Sequence, residues 1–217
     1  MTGDLLKVSV LATHTIANVS ETLAKKLKLP KDFRSVGIIT ADSDDPTYCA
    51  LDEATKAAAV TVVYARSMYA GAANASSRYT GEVIGILAGP NPSEVASGLR
   101  AAVDFLESGV GFHSADETDG VAFFAHTVSR TGSYLSKVAG VKEGAALAYL
   151  VAPPLEAMVG LDEAMKAADV ELVSLFQPPT ETNYGGGLLT GTQSACHAAC
   201  EAFAETVKAI AARPREV

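Results

Sequence analysis

The chain has 217 residues and a mass of 22.4 kDa, with a formal net charge of −8 and a pI near 5.0. This acidic balance leaves no basic stripe to neutralise phosphates and argues against a nucleic-acid binder. No stretch approaches the ~18 uninterrupted apolar residues that a membrane span needs.

Hydrophobic residues make up 48% of the chain but aromatic residues only 6%, with no Trp, so the core has to be built from small side chains packed closely. The N-terminus shows no charged region followed by an apolar run, and no secretory signal is expected. Three Cys, an odd number, suit a reducing compartment better than a disulfide framework. The expectation is a soluble, cytoplasmic protein.

In chain order, residues 5–12 (LLKVSVLA) read as a strand and SETLAKKL as a short helix. Val36 to Ala41 form an apolar run with strand character. The acidic turn Asp42-Ser43-Asp44-Asp45 follows, with Asp45 placed to cap a helix and Pro46 suited to its first turn. Leu51, Ala54, Thr55 and Ala58 recur at i, i+3, i+4 and i+7, the signature of one helical face. A second strand runs from Val60 to Tyr64. A Gly-rich stretch (MYAGAANASSRYTG), the strand EVIGILAG and a further helix come next. Asn91, Pro92 and Glu94 make a good helix start; Val95, Leu99, Ala102, Val103 and Leu106 form its inner face; Ser108-Gly109 ends it.

The chain then repeats itself. LDEATKAAAV (residues 51–60) and LDEAMKAADV (residues 161–170) agree at eight of ten positions, half a chain apart. A shared apolar face can arise by convergence, but the shared Asp52/Asp162, Glu53/Glu163 and Lys56/Lys166 point to duplication. At the offset that sets Leu51 on Leu161, Ala146 to Val151 read as a strand, Leu161, Ala164, Met165 and Ala168 as a helical face, and Val170 to Ser174 as a strand. PPTETNYGGGLLTG takes the place of the Gly-rich stretch, and a last helix spans about Gln193 to Ala212. Residues 110–140 (GVGFHSA, VAFFAHTVSRTGSYL) and residues 5–35 look like additional strands completing each sheet. The expected fold is α+β, two tandem domains (1–109 and 110–217), each with two helices on one face of an antiparallel sheet in a ferredoxin-like arrangement.

Chemistry-bearing motifs are sparse. CHAAC (Cys196, His197, Cys200) is the nearest approach to a metal motif. Yet Cys196, Cys200, Phe203 and Val207 share a helical face, and His197 points about 100° away from Cys196 on an ideal helix, a poor chelate. Neither Gly109-Val110-Gly111 nor Gly185-Gly186-Gly187 has the context of a nucleotide loop. No catalytic residue, metal or cofactor is expected. The turn at residues 42–45 has two readings, helix capping with dipole complementation or a cation site, and its counterpart in the second copy carries no such cluster.

ADSDD, LDEATKAA, YARSMYAGA, GEVIGILAGP, SRTGSYLS, AYLVAPPLEAM and PPTETN resemble the EutL-type family of tandem-domain bacterial microcompartment shell proteins, from about residue 4 to residue 212. The resemblance implies two circularly permuted shell domains, three chains closing a pseudohexameric tile, and edge-to-edge packing with other shell proteins. It implies loops gating a central pore, here Tyr69, Ala70, Gly71 and Asn74 in the first domain and Asn183, Tyr184, Gly185 and Gly186 in the second. It also implies a small ethanolamine-binding pore, with Asp45 and Glu82 as carboxylates for the ammonium, the Phe112 carbonyl nearby and Thr182 for the hydroxyl end. The competing readings are a duplicated-domain sensor or enzyme with a ligand between subunits, and a tandem shell protein of a different microcompartment.

Overall fold

The duplication extends further than a gapless comparison of the sequence reveals. The computed structural model describes residues 1–68, 81–118, 120–178 and 180–215. Two compact units emerge, one formed by residues 8–110 with 132–135, the other by residues 1–7, 111–131 and 136–217.

The first unit runs β2 (Val10–Ile16), α1 (Glu21–Lys26), β3 (Ser35–Ala41), α2 (Asp44–Ala57), β4 (Thr61–Ser67), β5 (Val83–Gly89) and α3 (Pro92–Glu107). Its four antiparallel strands lie in the order β2-β3-β5-β4. The second runs β7 (Ala122–Val128), α4 (Ser133–Ala139), β8 (Ala146–Ala152), α5 (Pro154–Ala167), β9 (Val170–Phe176), β10 (Gly185–Gly191) and α6 (Gln193–Ala212). Here the order is β7-β8-β10-β9, the same plan, with β1 (Leu5–Leu6) and β6 (Phe112–Ser114) added beyond β7. The stretch 5–12, read from sequence as one strand, is therefore two. Leu5 and Leu6 pair with His113 and Phe112 in the second unit, whereas β2 pairs with β3 in the first.

The extra strands of each half are themselves repeats. β2 corresponds to β7, with His14-Thr15 falling on His126-Thr127. The same offset places Leu23 on Leu135 and Lys25 on Lys137.

Strand periodicity sorts the core. In the first unit Ile39, Ala41, Val83 and Leu87 face α2 and α3, meeting Leu51, Ala54, Val95, Leu99, Ala102 and Leu106. Val36, Ile86 and Ala88 point the other way, toward Val19 and Ala24. In the second unit Ala146, Ala148, Leu150 and Ala152 meet Ala157, Leu161, Cys196, Ala199, Cys200 and Phe203. Small strand residues opposite small helix residues let sheet and helices approach closely, as the low aromatic content requires. A cluster of aromatics lies on the opposite face, where Phe124 is 5.4 Å from Phe112 and 5.5 Å from Tyr149 between ring centroids.

Three local expectations are corrected. Ser43, not Asp45, is the N-cap of α2; Asp44 and Asp45 lie in its first turn, where the helix dipole favours carboxylates. Met165, placed by periodicity on the inner face of α5, is 37% exposed. Gly185 and Gly186 are not loop residues: they open β10 and pair with Ala152 and Val151. A Cβ on Gly186 would stand 1.9 Å from the Leu150 carbonyl oxygen, so glycine is there to admit the neighbouring backbone.

Candidate functional site

The acidic turn sits at one end of the first unit's sheet. Asp44 and Asp45 are both buried at the N-terminus of α2. The Asp44 carboxylate accepts the Asp45 N–H (2.9 Å) and bonds the hydroxyl of Ser67, the last residue of β4. Tyr48 Oη reaches the same Ser67 Oγ at 2.5 Å. Burial pushes the Asp44 carboxyl up to about 6, with the Ser67 and Asp45 bonds pulling it partly back. Ser67 pairs with Val83, and Met68 N–H donates to the Glu82 carbonyl at 2.7 Å. Asp44, Asp45 and Glu82 are thus brought to the same end of this sheet by α2, β4 and β5. The residue equivalent to Asp44 in the second copy is Pro154 and that equivalent to Asp45 is Leu155, so the acidic cluster belongs to one copy alone.

Phe112 and Thr182 belong to the second unit. Phe112, in β6, is 2% exposed and lies 5.9 Å from Tyr184, edge to face. Thr182 is also buried; its hydroxyl is 3.3 Å from that of Thr180, which in turn donates to the Tyr184 carbonyl at 2.9 Å. Asn183 adopts a left-handed conformation (φ 63°) in the turn before β10. Thr182, Asn183, Tyr184 and Phe112 are therefore neighbours. Tyr69, Ala70, Gly71 and Asn74 lie outside the described residues.

The duplicated Asp-Glu-Lys triad serves two purposes, which sequence alone could not separate. In the second copy Lys166 bridges to Asp162 and Glu163 at the surface. In the first copy Asp52 is fully buried. It accepts Gly132 N–H (2.7 Å) and Leu135 N–H (2.8 Å), capping the first turn of α4, with Lys56 Nζ 3.5 Å away. A Cβ on Gly132 would stand 2.7 Å from the Asp52 carbonyl oxygen, which explains the glycine.

CHAAC takes its core role. Cys196 and Cys200 are buried among Ala199, Phe203 and Val207, and burial pushes the Cys200 thiol up to about 11. His197 faces outward, 3.5 Å from Glu201. His113, His126, His197 and Glu201 line a hollow of about 410 Å³ beside Cys200, whose thiol burial keeps in its protonated form near neutral pH. Among the described residues no group of three or more His, Cys, Asp or Glu is arranged to hold a metal ion, and no helix is long and apolar enough to cross a membrane.

Comparison with known proteins agrees with this architecture. The model of the BMC domain matches residues 35–116. The bacterial microcompartment shell protein EutL of Clostridium perfringens is 65% identical over 99% of both chains. EutL of Salmonella typhimurium is 56% identical over 97% of this chain and 96% of its own. The crystal structure of the ethanolamine utilization protein EutL from Leptotrichia buccalis superimposes with a TM-score of 0.96, at 62% identity and full coverage of both chains. A duplicated β-α-β-α-β-β-α plan, shared over its whole length with these proteins, makes this chain a member of the EutL family of bacterial microcompartment shell proteins.

Proposed function

We propose that three copies of this chain close a pseudohexameric tile that packs laterally with other shell proteins, and that it passes metabolites rather than transforming them. Two fused, similar wedges per chain supply six around a ring under cyclic symmetry. The tile carries a central pore bordered by the turn at Asn183 and Tyr184 and by the start of β10 at Gly185 and Gly186.

The chain also binds ethanolamine, with Asp45 and Glu82 of the first unit as the carboxylates for its ammonium. The observation that carries this reading is the one-copy acidic cluster. Carboxylates gathered beside buried Asp44, where water is largely excluded, attract a compact ammonium with three donors more strongly than they would at an open surface. The second copy has proline and leucine in those two places, with no carboxylate at either.

Calorimetric titration of ethanolamine into the wild type and Asp45→Ala tests the site. Loss of the binding heat with the native mass unchanged is expected; an unaltered affinity would remove Asp45 from the site.

A further inference from the structure

We propose that the exposed outer face of α5 is the socket for α1 of a second copy of this chain, centred on Met158 and Asp162 receiving Leu23. The inference rests on the trimer reading above and names its contact. The template lies within the first unit. There the α2 positions Tyr48, Asp52 and Thr55 receive residues 132–135. Asp52 accepts the Gly132 and Leu135 N–H groups, Thr55 Oγ1 accepts Ser133 N–H at 3.1 Å, and Tyr48 lies 6.4 Å from Tyr134.

By the repeat, the counterparts of Tyr48, Asp52 and Thr55 are Met158, Asp162 and Met165 on α5, and the counterpart of Leu135 is Leu23 on α1. Both halves of this second contact stand uncovered. Met158 is 45%, Val159 42% and Leu23 41% exposed, whereas Leu135 is 1% exposed. Asp162, at the position of fully buried Asp52, has its side chain 58% exposed.

The backbone shows the same imbalance. Gly132 and Leu135 N–H groups are held by Asp52 at 2.7 and 2.8 Å. Their counterparts on α1 are Ser20 and Leu23, and Leu23 N–H has only a 3.4 Å contact to Ser20 Oγ. A carboxylate arriving from a neighbour's Asp162 completes this turn as Asp52 completes the first turn of α4. The charges agree: α1 ends in Lys25 and Lys26, and α5 carries Glu156, Asp162 and Glu163.

The contact is head-to-tail, so each chain presents one plug and one socket. Leu23→Asp spoils only the plug and Met158→Asp only the socket. The native mass of each is measured by light scattering, alone and mixed, with circular dichroism to confirm the fold. The wild type is expected at three times the chain mass of 22.4 kDa, and each variant alone at the mass of a single chain. An equimolar mixture is expected at twice the chain mass, because one sound plug meets one sound socket and the ring cannot close. Trimeric wild type with either variant still trimeric, or with a mixture that stays monomeric, overturns the socket and leaves the trimer standing. A wild type that is not trimeric overturns the reading on which the socket rests.

Discussion

Asp44 offers a quantitative test of how the acidic turn is held. Burial lifts its carboxyl from 3.8 to about 6. Keeping it ionised in the folded chain at neutral pH therefore costs about 3 kcal/mol relative to the unfolded chain. A carboxyl raised in this way binds more protons folded than unfolded between pH 3.8 and 6, so its contribution to stability is greatest at low pH and falls as pH rises through that window. Asp44→Asn removes the charge while keeping an oxygen to accept the Asp45 N–H. At pH 8 the variant should exceed the wild type in unfolding free energy by about 2–3 kcal/mol, and at pH 4 the two should nearly coincide. The assay is urea unfolding followed by circular dichroism at both pH values, taking the difference so that other carboxylates cancel. An Asp44→Asn chain less stable than wild type at pH 8, with no pH dependence in the difference, would refute burial as the dominant influence on this carboxyl.

Two further outcomes follow from the packing. Asp52→Ala strands the Gly132 and Leu135 N–H groups beside half-buried Lys56 and should lose about 3 kcal/mol in denaturant; Asp162→Ala, made in the monomeric Leu23→Asp background, should stay within about 0.5 kcal/mol. Gly186→Ala forces its methyl onto the Leu150 carbonyl and should lose more than about 3 kcal/mol or yield no soluble protein, as thermal melting and yield would show.

Most of the fold was legible because each half writes its periodicities plainly. The apolar runs at β3 and β8, the helical faces at α2 and α3, and the Asn91 cap, which accepts Glu94 N–H at 3.0 Å, all stand where the residues place them. What stayed hidden has specific causes. The spacing from Leu23 to Val36 is longer than that from Leu135 to Ala146, so a gapless offset that sets Leu51 on Leu161 passed over the match of β2 with β7. A run of three glycines has the composition of a loop, and only the backbone of the adjoining β8 turns it into a strand. The triads at Asp52 and Asp162 are identical in sequence, and their difference lies entirely in what covers them. The acidic turn was legible as a cluster present in one copy, but pattern could not show that Asp44 makes the bond to Ser67.

A three-chain tile is tested most directly by the native mass of the purified wild type, measured by multi-angle light scattering. The expected result is three times the chain mass of 22.4 kDa, sustained on dilution. A species that remains at one or two chain masses at high concentration would contradict it.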